Sequence, residues 1–139
     1  MRIHLLKIIG YPIMVMAFIL LCLCLYWLIR PYNMIEVAVP IKLTKKDLKV
    51  GEIIDAEMTY CKHAEGKAIV HRYLVDGVIY FLPVRTTNAP KGCNISRETI
   101  KVPSVPNGEY TLKIVIEYDP NPIRTIKHEF ETEKFYISN

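Results

Sequence analysis

Cys61-x-His63, with His71 and Cys93 further along, is the one grouping in this 139-residue chain whose types could hold a metal or drive nucleophilic chemistry. A structural zinc site presents two close ligand pairs, and only one loose pair is present, so the spacing speaks against zinc. A Cys–His nucleophile needs an activating turn, an orienting acid and an oxyanion loop, and the sequence offers no recognisable version of these. His128 lies among alternating polar residues and reads as a solvated side chain. The expectation is therefore a chain with no catalytic, cofactor or metal residues, not an enzyme. What remains for Cys61 and Cys93 is a disulfide, expected if both lie outside the cytoplasm; in a reducing cytosol they are two free thiols. Closing a loop of about 32 residues stabilises a fold by roughly 3–4 kcal/mol on the chain-entropy account. Asn94-Ile95-Ser96 is a glycosylation sequon that matters only in a eukaryotic secretory setting.

The elements that position these residues begin with an uncharged stretch. From Ile8 to Ile29 no charged side chain occurs, and Lys7 and Arg30 stand at its two ends. At about 1.5 Å per residue such a helix reaches roughly 33 Å, enough to cross a hydrocarbon layer of about 30 Å. Tyr11 at one edge, and Tyr26, Trp27, Arg30 and Tyr32 at the other, match the aromatic and basic belt of a membrane interface. A signal peptide has a shorter apolar core and then a small-x-small cleavage site, whereas here Leu28-Ile29-Arg30-Pro31 follows. MRIHLLKIIG resembles a type IV prepilin leader, but Val15 stands where that family carries an acid. The expected organisation is a short cytoplasmic tail over 1–7, a transmembrane helix over 8–29, a linker over 30–33 and one domain over 34–139. Pro12 is expected in the first helical turn, where its missing N–H costs little. Cys22 and Cys24 read as apolar helix residues.

Charge narrows the partners. Arg2, Lys7 and Arg30 flank the apolar stretch, which leaves 15 of the 18 Lys and Arg against all 14 Asp and Glu. The signs alternate along the chain, so there is no clustered basic face and no nucleic-acid partner is expected. Arg30 alone on one side, against Arg2, Lys7 and the amino terminus on the other, favours a cytoplasmic N-terminus and an extracytoplasmic domain. That places the chain in a plasma or inner membrane, with the lipid bilayer itself as one partner.

Past residue 33 the period is two. Ile35, Val37, Val39, Ile41 and Leu43 alternate with polar or small residues, and Pro40 marks that strand as an edge or bulged one. Ile54 to Tyr60 alternates likewise. Ala68 to Val75 meets Asp76-Gly77, a favoured type I′ pair, and returns as Val78 to Leu82. A turn-rich loop is expected over 85–97, then a short strand at 98–102 and a longer one over 110–118. A last strand pair, or one bent strand, is expected over 123–137. Seven or so short strands with turn signals between them predict a mainly β fold, an N-terminal helix followed by a seven-stranded antiparallel sandwich.

Pro106-Asn107-Gly108-Glu109-Tyr110-Thr111-Leu112 resembles the approach to strand F of immunoglobulin-like and fibronectin type III-like domains. The resemblance implies an Ig-like sandwich, with Gly108 at the turn and Tyr110 as the tyrosine corner whose hydroxyl folds back onto the preceding connection. It stops short of the immunoglobulin cysteine pair and tryptophan. Asn121-Pro122-x-Arg124 with Thr132-Glu133-x-Phe135 is similar to small uncharacterised membrane-anchored proteins of tailed phages, a likeness that brings no activity with it. In such a frame the expected binding loop carries Arg85, Asn88, Lys91 and Arg97. The functional expectation is a single-pass, non-enzymatic protein displaying its domain to an unknown protein partner or a surface. The alternative is a structural accessory subunit of a membrane or envelope complex. Oligomeric state is not legible.

Overall fold

The computed structural model describes residues 2–30 and 33–139, with side chains of the N-terminal helix from residue 10 onward. Tyr32, expected at a membrane interface, lies outside the described residues. The chain divides into two compact units, one helical and one of strands.

The helical unit is α1, Arg2–Ile29, joined by residues 121–124. The helix begins at Arg2 because nothing between there and Ile8 breaks it, so the expected tail is helical too. Pro12 therefore stands well inside the helix rather than in its first turn, and it leaves the Ile8 carbonyl without its usual donor. Gly10–Ile29 has a mean hydropathy of 2.6, and none of it is buried. The last turn of a helix leaves carbonyls without intrahelical partners. Here Asn121 Nδ2 donates to the Trp27 carbonyl at 3.2 Å. The Arg124 guanidinium donates to Leu28 and Arg30 carbonyls at 3.3 and 2.9 Å.

The strand unit is a two-sheet sandwich. Its strands are β1 (Ile35–Leu43), β2 (Asp47–Lys49), β3 (Ile53–Lys62), β4 (Ala68–Asp76), β5 (Val78–Thr87), β6 (Gly92–Lys101), β7 (Gly108–Asn121), β8 (Arg124–Glu131) and β9 (Phe135–Ser138). One sheet runs β1-β3-β6; the other runs β2-β9-β7-β4-β5, with β8 also on β7. Nine segments are consistent with the expected seven strands. β8 and β9 follow each other along β7 as one bent strand, bridged at the bend by Thr132 N–H to Leu112 O and Leu112 N–H to Thr132 Oγ1, each 3.0 Å. β1 leaves its sheet and continues as β2, which pairs parallel with β9.

Alternation places the core where the pattern predicts it. Ile54 and Ala56 on β3, Leu74 on β4, and Leu112 and Ile114 on β7 are fully buried between the sheets. β1 departs from its pattern: the register slips on both sides of Val39, which is 42 % exposed. Pro40 has no N–H for the ladder, and the bulges around it turn Val39 outward. The Asp76-Gly77 hairpin is not type I′. That turn needs positive φ at both central residues, and only Gly77 has it, at 64°. Asp76 and Val78 are register partners, so the glycine alone turns the chain.

Candidate functional site

Cys61 is the next-to-last residue of β3 and Cys93 the second of β6, directly opposite each other in the antiparallel register. They are disulfide-bonded, with S–S 2.05 Å and Cα–Cα 3.9 Å. Both thiols are thereby removed from metal or nucleophilic chemistry. His63 instead sits 3.2 Å from Glu36, and His71 3.7 Å from Glu117.

The next residue, Lys62, is only 3 % exposed. Its ammonium donates to the Gly66 carbonyl at 2.6 Å and to the Ala89 carbonyl at 2.7 Å. This one side chain draws the 63–67 and 88–91 connections to the same end of the sandwich, beside the disulfide. Met34, where the chain enters the strand unit, is at that end as well: its carbonyl accepts from His63 N–H at 2.8 Å, and its N–H donates to Tyr118 Oη at 3.1 Å. His128 stacks on Tyr118 at 5.7 Å between centroids, with Nε2 3.0 Å from the phenol oxygen. It is half-buried in that aromatic contact rather than solvated as its polar neighbours suggested.

The expected binding loop is mostly strand. β5 runs to Thr87 and β6 starts at Gly92, leaving only residues 88–91 as connection. Asn88 and Lys91 are exposed there. Arg85 lies on β5 and Arg97 on β6, on different faces, and each has a carboxylate partner: Glu98 at 3.2 Å and Glu57 at 2.9 Å. Arg85 and Arg97 therefore do not share a face. Turn formers in 88–92 suggested a longer loop because the flanking Thr and Arg residues are polar; in fact they form strand positions with one wet face. Asn94 Nδ2, in the sequon, donates to the Pro90 and Gly92 carbonyls and holds the tight connection.

The other signalled feature is the turn into β7. Tyr110, 1 % exposed, donates its hydroxyl to the Pro106 carbonyl at 2.7 Å, the back-bond of a tyrosine corner. Burial raises its phenol above the usual tyrosine value, with Tyr80 and Asp76 adding to the shift. A side chain at Gly108 would place its Cβ 2.9 Å from Asp76 Oδ2, so the Asp76 carboxylate would have to move aside for it.

Two features were not anticipated from sequence. Glu98, 2 % exposed, reaches from β6 across the sandwich to Arg72 on β4 and Arg85 on β5, at 3.2 Å each, with Ser96 Oγ 3.4 Å away. Arg72 also donates to the Pro83 carbonyl through Nε at 3.0 Å and through its terminal nitrogen. This is an ion cluster between sheets. The available signal was parity, since Glu98 stands two residues before the core residue Ile100. The second feature is a groove of about 300 Å³ on the outer face of the larger sheet, walled by Tyr73, Val75, Ile79 and Phe81 and bounded by Lys113 and Glu129. The Tyr73 and Phe81 rings meet edge to face at 5.4 Å. Lys113 is held by Glu129 at 2.6 Å, and that hydrogen bond raises its ammonium pKa. Among the described residues, no group of three or more His, Cys, Asp or Glu side chains is arranged to hold a metal.

No family model matches the chain, and no curated protein matches it. Solved structures resemble it at low similarity. A β-glucosidase from Listeria innocua in complex with isofagomine aligns over 74 % of this chain at 17 % identity and TM-score 0.43, and the chain spans only 16 % of that enzyme. The CARDB domain of the PF1109 protein from Pyrococcus furiosus aligns over 78 % of this chain and 91 % of its own length, at 11 % identity and TM-score 0.44. The alkylpurine DNA glycosylase AlkC of Pseudomonas fluorescens aligns over 74 % of this chain and 31 % of its own, at 14 % identity and TM-score 0.42.

Proposed function

We propose that this chain is a single-pass membrane protein that retains α1 as its anchor. Its sandwich, of immunoglobulin-like or fibronectin type III-like kind, works outside the cytoplasm as a non-enzymatic binding module. The observation that carries the reading is the Gly10–Ile29 helix: 20 residues, uncharged, apolar on every side and with no buried residue. A helix apolar all round is stable against lipid or a protein core, and among the described residues none encloses this one. The edges agree with an interfacial belt. Tyr11 is exposed near one end; at the other, Arg30 donates to the Tyr26 hydroxyl at 2.7 Å and lies 5.5 Å over its ring. The Cys61–Cys93 bond supports an extracytoplasmic domain, because cytosolic reductants keep such pairs open.

Support for the immunoglobulin-like kind comes from the partition of strands. A three-stranded sheet of β1, β3 and β6 faces one in which β5, β4, β7 and the bent β8–β9 strand are neighbours, and the tyrosine back-bond sits at the start of β7.

Membranes holding the full chain test both parts. Washed in alkaline carbonate, the protein is expected to stay in the pellet at full length. After reduction, an impermeant maleimide applied from outside is expected to reach Cys61 and Cys93 and shift the band. A supernatant chain trimmed of its first thirty or so residues overturns the anchor; labelling only after lysis overturns the orientation.

A further inference from the structure

Each arginine of the strand unit has a carboxylate partner: Arg72 and Arg85 pair with Glu98, and Arg97 with Glu57. Among the described residues, Arg30 and Arg124 have none. Both belong to the helical unit, whose sequence holds Arg2, Lys7, Arg30 and Arg124 and not one Asp or Glu. Arg30 donates to the Tyr26 hydroxyl, and Arg124 to two backbone carbonyls. Two guanidinium charges thus stand at the end of an apolar helix without an anion.

Capping the helix accounts for only part of Arg124. One terminal nitrogen, Nη1, reaches both the Leu28 and the Arg30 carbonyl. A guanidinium has five N–H donors. Nε–H and the two hydrogens of Nη2 remain, the edge that grips two oxygens of a phosphate at once. Arg30 likewise uses one nitrogen on the phenol, and the residue is exposed. The capping contacts also change the local sign. A helix C-terminus carries a partial negative charge that repels phosphate. Here Asn121 Nδ2 covers the Trp27 carbonyl and Arg124 covers those of Leu28 and Arg30, so donors replace bare acceptors.

Depth selects the anion. The uncharged stretch is about 33 Å long against a hydrocarbon layer of about 30 Å, so its last turn ends at the hydrocarbon edge, with roughly 5–8 Å of headgroup beyond. The Arg124 guanidinium, 2.9 Å from the Arg30 carbonyl, falls in that headgroup layer. Between the two capping residues the hairpin tip is Pro122-Ile123, apolar and exposed, with the Ile123 N–H held by Asn121 Oδ1 at 3.1 Å. An apolar tip beside a cation suits the boundary between acyl chains and phosphates.

We propose that Arg124, carried by the 121–124 hairpin, and Arg30 form a site for the phosphate of an anionic phospholipid at the end of α1. The site rests on the reading of α1 as a retained anchor.

Trp27 is the sole tryptophan and its carbonyl is one of the capped groups, so its fluorescence reports the lipid beside the site. The full-length chain is reconstituted in phosphatidylcholine vesicles with a minority of phosphatidylglycerol, brominated on one lipid or on the other. Per brominated molecule, phosphatidylglycerol is expected to quench Trp27 more strongly. Arg124→Gln and Arg30→Gln are each expected to lower that preference about fivefold, the usual weight of one basic residue at an anionic surface. Asn121→Ala removes a cap bond but no charge and is expected to leave the preference unchanged. Quenching by neither lipid overturns the anchor itself. Equal quenching by both leaves the anchor standing and overturns the site. A preference that survives Arg124→Gln, or that Asn121→Ala lowers equally, overturns the role of the hairpin cation. Loss of the preference to inorganic phosphate, beyond that caused by chloride of equal ionic strength, makes a free anion the occupant and overturns the lipid.

Discussion

Glu98→Ala tests whether the charge cluster between the sheets is a structural keystone. In the native fold the carboxylate is almost fully buried and pairs with two guanidinium groups from the opposite sheet, Arg72 and Arg85. Their side-chain exposures differ, 11 % for Arg72 and 43 % for Arg85. Removing Glu98 strands Arg72 in the interior with only the Pro83 carbonyl, while Arg85 can turn to water. Breaking a buried pair at one partner costs about 3–5 kcal/mol, and the freedom of Arg85 puts this case near about 3 kcal/mol. At roughly 4–8 °C per kcal/mol for a domain of this size, melting falls by more than about 12 °C. Arg85→Ala removes the half-exposed partner and is expected to cost about 1 kcal/mol or less. Replacing both buried partners, Arg72→Leu with Glu98→Leu, is expected to recover most of the loss, because the uncompensated charge is gone. Thermal unfolding of the oxidised full-length chain, followed by circular dichroism in mild detergent, reads all three. Equal losses for Glu98→Ala and Arg85→Ala, or a double variant no better than Glu98→Ala, refute the reasoning.

Cys61→Ser with Cys93→Ser, or reduction of the native chain, is expected to lower stability by roughly 3–4 kcal/mol for a 32-residue closure, measured by urea titration with and without reductant. Tyr110→Phe leaves the ring and removes the bond to Pro106, for an expected loss of about 1 kcal/mol. The same tyrosine gives an alkaline signature. Its folded pKa is raised by burial, as is that of Tyr60, so each contributes stability that is full below pH about 10 and lost as pH rises through the folded value. Tyrosinate absorbance should show a late-titrating component, and Tyr110→Phe should reduce it. Glu52 has the opposite sign. Its carboxylate accepts the Lys49 N–H at 2.9 Å and pairs with Lys45, which lowers its pKa below 4.5. Its contribution is present above that value and fades as pH falls through the folded pKa. The Lys49 amide resonance is expected to move with that titration, and Glu52→Gln should abolish the movement.

Period-two alternation carried most of the fold. β3, β4 and β7 each bury the residues that their spacing selects, and Pro40 gave both the edge position and the bulges of β1. Tyr110 and Gly108 were legible because a turn glycine followed closely by a tyrosine has a local geometry of its own. The Cys61–Cys93 bond was legible for a different reason: with only two cysteines in the domain, the choice was a bridge or none. Where the reading failed, strand and loop shared a vocabulary. Thr86, Thr87, Asn94 and Ser96 are as suited to a wet strand face as to a loop, and only the register against β4 and β3 separates the two.

Glu98 marks the deeper limit. Its parity with Ile100 placed it on the core face, yet a glutamate there is tolerable only if cations from another sheet meet it, and nothing in the β6 sequence identifies them. Arg72 keeps the parity of Val70 and Leu74 in the same way, also facing the core. Each residue read alone is a charge at a site where none belongs, and pattern reasoning resolves that conflict by moving both to solvent. Read together they resolve it otherwise, because a buried acid on one sheet and a buried base on the other are explained by each other. An inward-parity charge of each sign, on strands assigned to different sheets, is therefore a cross-sheet contact prediction that sequence supports once the sheet partition is known.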